Sequence, residues 1–259
     1  MAGWTCLGCA EASDTTGEPL AAEVVGADVS DVTAVEDAAE DVSPPEDLPT
    51  PDALDAELTW TPPSYPHDDE LHVNQLQCTG THNSYHLTPP PENLIPDWDY
   101  TNVPLDEQLE DQGARHFELD VYRSSDGVFH VAHLPPLDGE TTCETLELCL
   151  APIRAWSEAH PWHHPLFIMI ELKVSLGVEG WIDAFEQTFV DGLGVERVVT
   201  PDEVRGAATS LREAVTTSGW PTLGATRGKV FVIVMNDDRY LAAWRAGPAA
   251  GAGRVAFVH

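Results

Sequence analysis

The chain has 259 residues, 42% of them hydrophobic, and a formal net charge of -32 at pH 7. A chain of this length can bury a sizeable core, and one α/β domain of catalytic size would use most of it. The negative charge repels nucleic acid and anionic membrane surfaces, so we expect no nucleic-acid partner and at most peripheral contact with a membrane.

The N-terminal part of the chain is acidic and rich in proline. No Lys or Arg precedes Arg115, while Asp and Glu recur throughout residues 11–70. Such a stretch cannot bury enough apolar surface to order itself, so we predict a disordered, proline-stiffened tether over residues 11–68. A poorly folded acidic domain is the alternative.

Cysteine placement suggests export. Residues 1–10 end in LGCA, which resembles the end of a bacterial lipoprotein signal, so we expect either a lipidated Cys9 behind a longer leader or simply a disordered start. Cys143 and Cys149 are six residues apart, close enough for a small disulfide loop in an oxidising compartment. Together these features predict an extracellular or bacterial cell-surface protein. Cys78, within a predicted strand, is expected to be buried.

Residues 69–259 alternate between strand-like and helix-like patterns. The six predicted strands cover residues 74–79, 115–121, 128–133, 166–172, 229–235 and 254–258. Helices are predicted around Leu105, from Pro152, around Phe185 and over SLREAVTTSG. This alternation predicts a parallel sheet in an α/β fold. No glycine-rich phosphate loop follows the first strand, and reactive residues fall near the carboxyl ends of strands, so we favour a (β/α) barrel of the TIM type over a doubly wound sheet.

Three carboxylates fall near the ends of two predicted strands. In HFELDVY, Glu118 and Asp120 share the face opposite the apolar residues, and Glu171 follows the apolar run LFIMI. Carboxylates crowded inside a barrel require a cation or a proton, and a hard, oxygen-binding ion such as calcium or magnesium is the simplest remedy. Lys173 is a rival partner, so a plain ion pair stays open, as does a half-exposed strand with solvated acids.

Histidines stand near the same predicted edge. His82 and Asn83 end the first strand, where Asn83 could complete a calcium shell and His82 could transfer a proton. We interpret His86 as a neighbour in the loop. In the third strand, His130 and His133 point to opposite faces, and we choose His133 because it lies at the carboxyl end. The remaining cluster, AHPWHHP, precedes the fourth strand and is predicted to be a solvated loop.

Four stretches, THNSYH, GARHFELDVY, VAHLPPLDGETTC and LFIMIELK, with support from WPTLGATRGKVFVIV, resemble the calcium-dependent phosphatidylinositol-specific phospholipase C family, in particular its bacterial extracellular branch. The resemblance implies a barrel that cleaves a phosphodiester by attack of the inositol 2-hydroxyl. It implies catalytic roles for His82 and His133. It also implies one calcium ion, rather than magnesium, held by Asn83, Glu118, Asp120 and Glu171. The substrate would be a phospholipid or a small phosphodiester, and we expect a monomer.

Two departures from the family pattern qualify this expectation. Where eukaryotic members carry phosphate-binding lysines, the fifth strand reads KVFVIVMNDD, so recognition of a multiply phosphorylated inositol is not expected. Family barrels have eight strands, whereas we count six, so we expect a barrel that is truncated and incomplete at its C-terminus.

Two other functions stay open. ELDVYRSSDGVFHVAH also resembles the glycerophosphodiester phosphodiesterases, although that family has Arg where this chain has Asn83. A non-catalytic calcium-binding surface module on an acidic stalk is the alternative from a different class.

Overall fold

The computed structural model of the chain describes residues 65–173, 180–235 and 237–259. The predictions for residues 1–10, for Cys9 and for most of the tether over residues 11–68 lie outside the described residues. The boundary at residue 69 stays a prediction.

A parallel sheet forms the centre of the fold. In the part of the chain that the structure describes, it has seven strands: β1 (Thr79–Thr81), β2 (Ala114–Arg123), β3 (Phe129–Val131), β4 (Leu166–Leu172), β5 (Val198–Val199), β6 (Val230–Met235) and β7 (Phe257–Val258). The strand order is β1-β2-β4-β6-β5, and every pair along this path is parallel. β7 pairs parallel with β6, whereas β3 pairs antiparallel with β2.

Helices connect the strands. They are α1 (Leu105–Glu110), α2 (Leu146–Ala159), α3 (Trp181–Leu193), α4 (Pro201–Arg205), α5 (Leu211–Thr217), α6 (Leu223–Thr226) and α7 (Asp238–Arg245), and three-residue 3-10 helices lie at Val73–Gln75, Pro96–Trp98 and Val195–Arg197. No helix among the described residues is long and apolar enough to cross a membrane.

The larger core lies between the sheet and the helices. In β2 the alternate residues Phe117, Leu119 and Val121 are fully buried, and they belong to one cluster with side chains of α1, α2 and α3. Because neighbouring residues of a strand point to opposite faces, the carboxylates of β2 are directed to the other side. The predicted division of this strand into an apolar face and an acidic face is confirmed.

The other face of the sheet carries a smaller aromatic cluster. The rings of Phe167 in β4 and Phe231 in β6 stack with their centroids 5.3 Å apart, and Phe257 of β7 packs against Phe231. Parallel strands joined by helices, with an apolar cluster on each face of the sheet, confirm the predicted α/β fold of the TIM-barrel type. Among the described residues the sheet is open, with β1 at one edge and β5 and β7 at the other.

The third predicted strand was placed wrongly. It was expected to be a parallel barrel strand, but β3 forms an antiparallel hairpin with β2. The turn at residues 124–127 is the reason, because a parallel connection needs a crossover of a dozen or more residues. Ser124 N donates to Val128 O at 2.9 Å and closes this turn.

Other element bounds also differ from the sequence prediction. β1 begins at Thr79 rather than at residue 74, and β5 was not predicted because two residues show no alternation. Helix α2 begins at Leu146, six residues before Pro152, because the Thr145 side chain accepts a hydrogen bond from Leu148 N at 3.3 Å and caps the helix.

The cysteine predictions had mixed outcomes. A disulfide joins Cys143 to Cys149, whose Cα atoms are 5.1 Å apart. Cys78 is exposed and precedes β1, so its predicted burial was wrong.

The prediction that AHPWHHP is a solvated loop was wrong for His163. This residue is buried, and its ring contacts Ser157 and Trp156.

Candidate active site

The register between β2 and β4 brings three carboxylates together. Asp120 lies directly across from Glu171, and Glu118 lies two residues earlier in β2, on the same face. One oxygen from each of the three side chains lies within 4.8 Å of the other two. Glu118 and Asp120 are buried, while the Glu171 side chain is 42% exposed. The sheet thus builds a carboxylate cluster with one open side.

Burial makes this cluster electrostatically costly. Burial, together with the neighbouring Asp120 charge, raises the pKa of Glu118 to about 8. Burial also raises the pKa of Asp120, although Lys173 opposes this effect. Among the described residues, no hydrogen-bond donor reaches Glu118 Oε1 or Asp120 Oδ1. Two buried oxygens with unused lone pairs are the donor set that a hard cation uses.

Lys173 supplies positive charge to the same cluster. Its Nζ lies 2.9 Å from Glu171 Oε1 and 3.1 Å from Asp120 Oδ2. Burial lowers the pKa of Lys173, but the Glu171 and Asp120 contacts outweigh this effect and raise it overall, so the side chain is an ammonium ion at neutral pH. The rival ion pair expected from the sequence therefore forms, alongside the carboxylate arrangement that suits a metal.

Asn83 lies against the acids of β2 in the loop after β1. Its φ of +45° places it in the left-handed region, which Asn tolerates better than most residues, and its backbone N donates to Glu118 Oε2 at 2.7 Å. Ser84 N and Oγ bond the backbone O and N of Glu118 at 3.0 and 2.9 Å. These bonds fix Asn83 beside the carboxylates.

The side-chain amide of Asn83 has two useful orientations. In one, its nitrogen donates to Asp120 Oδ2 and to Glu118 Oε2, both at 3.3 Å, and its oxygen accepts from Tyr100 Oη at 2.9 Å. In the other, its carbonyl oxygen faces the two carboxylates, and its nitrogen donates to Tyr100. The first pairs both ends of the amide but leaves Glu118 Oε1 and Asp120 Oδ1 without a donor, and the second adds a neutral oxygen ligand for a cation.

His82 directly precedes Asn83, and its side chain is exposed. Asn102 Nδ2 bonds the backbone oxygen of Asn83 at 2.8 Å and approaches that of His82 at 3.4 Å, which ties the loop down. The imidazole of His82 is thus accessible to solvent, on the residue next to Asn83.

His133 belongs to a buried group of two imidazoles and one carboxylate. Asp138 Oδ2 lies 2.7 Å from His133 Nδ1, and Asp138 Oδ1 lies 2.9 Å from His86 Nε2. His86 and Asp138 are fully buried, whereas the His133 side chain is 24% exposed. His86 Nδ1 also faces Tyr100 O at 3.0 Å, so both ring nitrogens of His86 face acceptor oxygens. Asp138 thereby orients His133.

The hairpin carries His133 to this position. After β3 the chain returns alongside β2, where Ala132 N donates to Asp120 O at 3.2 Å and Tyr122 Oη donates to His133 O at 2.5 Å. His130 instead lies exposed within β3. The two histidines therefore differ in their surroundings. His133 follows the carboxyl end of β3, as predicted, but β3 runs antiparallel to the strand that carries Glu118 and Asp120.

The aromatic residue that joins the two groups is Tyr100. Its ring stacks on His86 with centroids 4.2 Å apart, and its hydroxyl lies 2.9 Å from Asn83 Nδ2. Burial raises the pKa of Tyr100. This side chain connects the imidazole group to the carboxylate cluster through direct contacts.

Sequence reasoning missed Asp138 and Tyr100 and wrongly treated His86 as a bystander. A carboxylate five residues after His133, across the short loop LPPL, was a usable signal for an acid–imidazole pair. His86 and Tyr100 carried no such signal, because their contacts cross between loops that are distant in sequence.

The chain matches a known family over most of its described length. The family described as "Phosphoinositide phospholipase C, Ca2+-dependent" matches residues 71–130 and 127–259. No curated protein matches the chain in sequence.

Solved structures show the same fold. A Ca2+-dependent phosphatidylinositol-specific phospholipase C from Streptomyces antibioticus is 26% identical, with a TM-score of 0.50, over 62% of this chain and 52% of that chain. A calcium-dependent phosphoinositol-specific phospholipase C from a Gram-negative Pseudomonas species, in its apo form, is 19% identical, with a TM-score of 0.57, over 75% of this chain and 67% of that chain. Its structure described as a myoinositol complex has a TM-score of 0.55 at 19% identity, over 73% of this chain and 65% of that chain.

The matched region spans about half of the Streptomyces enzyme. Within this chain, the family match includes both strands that carry the carboxylates, the loop with Asn83 and the hairpin that leads to His133. The chain therefore belongs to the calcium-dependent phosphoinositide phospholipase C family.

Proposed function

We propose that the protein is a calcium-dependent phosphodiesterase of the phospholipase C type that cleaves phosphatidylinositol or a related phosphodiester. One observation carries this proposal: the three carboxylates of β2 and β4 converge, and two of their buried oxygens have no donor among the described residues. The family match and the solved relatives named above support the same chemistry.

The residues present fit a calcium ion. Glu118, Asp120 and Glu171 offer carboxylate oxygens, and Asn83 offers a neutral carbonyl oxygen in one orientation of its amide. These four residues would hold one ion. When bound, the ion would neutralise charge on the phosphoryl group and lower the pKa of the attacking hydroxyl.

The imidazoles would move the protons. We assign His82, exposed beside Asn83, to the hydroxyl that attacks phosphorus, and His133 to protonation of the leaving alcohol. Asp138 contacts His133 Nδ1, so a proton on Nε2 would be directed away from Asp138. If the 2-hydroxyl of the inositol attacks, a cyclic inositol phosphate and diacylglycerol result.

We also propose where the protein works. The Cys143–Cys149 disulfide favours an oxidising compartment, in keeping with an extracellular or cell-surface enzyme. The high negative charge disfavours electrostatic attraction to anionic membranes, so we propose that membrane contact is at most peripheral. We also propose that the enzyme acts as a monomer.

Product analysis tests the function. The full chain is incubated with phosphatidylinositol vesicles in calcium or in excess chelator, and in parallel with glycerophosphodiesters. We expect inositol phosphate release that requires calcium. Glycerol phosphate release would support the glycerophosphodiester phosphodiesterases instead, and calcium binding without turnover would support a non-catalytic module.

A further inference from the structure

We infer that Lys173 is an internal counter-ion that calcium must displace, so that its ammonium group competes with the metal for the carboxylate cluster. The inference rests on the calcium site proposed above. It deepens that proposal by naming a residue that sets how tightly the ion binds.

The contacts of Lys173 place its charge where the metal's charge would lie. Nζ contacts Asp120 Oδ2 at 3.1 Å and Glu171 Oε1 at 2.9 Å, which are two of the proposed ligands. Calcium binds oxygens at about 2.4 Å, so an ion on those two oxygens would lie at most about 5 Å from Nζ. Between a divalent ion and an ammonium group at this separation, repulsion is strong in a partly buried site.

The Lys173 side chain also reaches solvent. It is 20% exposed, while Asp120 is fully buried. A flexible four-carbon stem that reaches solvent can turn away without moving the strand. Without metal, the ion pairs of Lys173 stabilise the cluster. When the Lys173 side chain moves away, Asp120 and Glu171 can both bind calcium.

The sequence provides a matched control. Lys173 and Lys229 are the only lysines in the chain. Lys229 likewise pairs with a carboxylate, Glu203 Oε1 at 2.6 Å, and its side chain is 27% exposed. It therefore resembles Lys173 in exposure and pairing but contacts no residue of the carboxylate cluster.

Calcium titration calorimetry on the full chain, without lipid, tests the competition. We expect Lys173→Met to bind calcium about tenfold more tightly than the parent chain, because a cation has been removed from the site. Lys229→Met should bind calcium as the parent does. Equal or weaker binding by a folded Lys173→Met protein overturns the inference.

Acetylation of the parent chain provides a second measurement that needs no variant. Mass spectrometry after brief treatment with an acetylating reagent should show that calcium increases the modification of Lys173 and leaves Lys229 unchanged. Unchanged modification of Lys173 at saturating calcium overturns the inference. If the parent binds no calcium at all, both the inference and the calcium part of the proposed function fail, whereas binding without displacement of Lys173 removes the inference alone.

Discussion

Asp138 Oδ2 lies 2.7 Å from His133 Nδ1, and the carboxylate is fully buried while the imidazole reaches solvent. A buried acid that holds one ring nitrogen determines both the orientation of the ring and which nitrogen is free to act. The same carboxylate also contacts His86 on its other side. This arrangement makes Asp138 a positioning residue for His133, and it leads to the first prediction.

We predict that Asp138→Asn lowers kcat for phosphatidylinositol cleavage by about a hundredfold, because an amide can present the wrong atom to His133 and leave its ring misoriented. KM and calcium affinity should stay near the parent values, since Asp138 is not among the proposed metal ligands. A role limited to folding would instead show as lost stability with unchanged kcat in the folded fraction. Asp138→Glu should recover part of the activity.

The exposed imidazole beside Asn83 leads to a second prediction. His82→Ala should reduce turnover by at least about a hundredfold, because proton transfer to or from a reacting group contributes on that order, while calcium binding persists. His130→Ala is the matched control, since His130 is likewise exposed but lies within β3. Equal activity in the His82 variant and the parent would reject the assigned role, and a large loss in the His130 variant would contradict the choice of His133.

The carboxylate cluster leads to a third prediction. Glu118→Gln keeps the side-chain shape but replaces a carboxyl ligand with a neutral amide, so calcium affinity and turnover should both fall, by about tenfold or more. Calorimetry and lipid cleavage assays measure the two effects. Glu107→Gln, at an exposed position of α1, should change neither. Parental calcium affinity in the Glu118 variant would show that this carboxylate is not a ligand.

A fourth prediction concerns stability in acid. Burial lowers the pKa of His163 to about 4 from the usual 6.5, and its Nε2 lies 2.8 Å from Ser157 Oγ. The unfolded chain therefore takes up a proton at a higher pH than the folded chain does. As a result, the free energy of unfolding should fall as the pH drops from about 6.5 towards 4, by up to about 3 kcal/mol from this residue.

Urea unfolding between pH 4 and pH 7.5 measures this dependence. His163→Gln loses the buried ring and its contacts, so its free energy of unfolding should be lower at pH 7.5. Because Gln does not titrate in this range, this free energy should fall less as the pH drops. The exposed His130→Gln should keep the slope of the parent. An unchanged slope in the His163 variant would contradict the assignment of this titration to His163.

Much of the fold could be predicted from local patterns. Strand β4 was predicted with its observed bounds, Leu166–Leu172, because a short apolar run between polar ends is typical of a buried strand. The alternation in β2 likewise placed Glu118 and Asp120 on one face. The prediction failed where the chain reverses, because the short turn after β2 permits only an antiparallel partner.

The candidate site was predicted only in part. The proposed ligands could be named from their residue types, from the alternation in β2 and from the family resemblance. The contact of Lys173 with both Asp120 and Glu171 stayed one of two alternatives, because sequence spacing alone does not determine which charges meet. Asp138 was missed, although it follows His133 by five residues, and His86 was misjudged.

By itself, the sequence determined the acidic character of the chain, the alternation of strands and helices, and the chemical types available at the strand ends, because these depend on composition and on periodicities within single elements. Only the tertiary structure decided which groups meet. The register that sets Asp120 across from Glu171, and the contact of Asp138 with His86, depend on hydrogen bonds between segments tens of residues apart. Such pairings follow from how the whole sheet packs, and no local pattern encodes them.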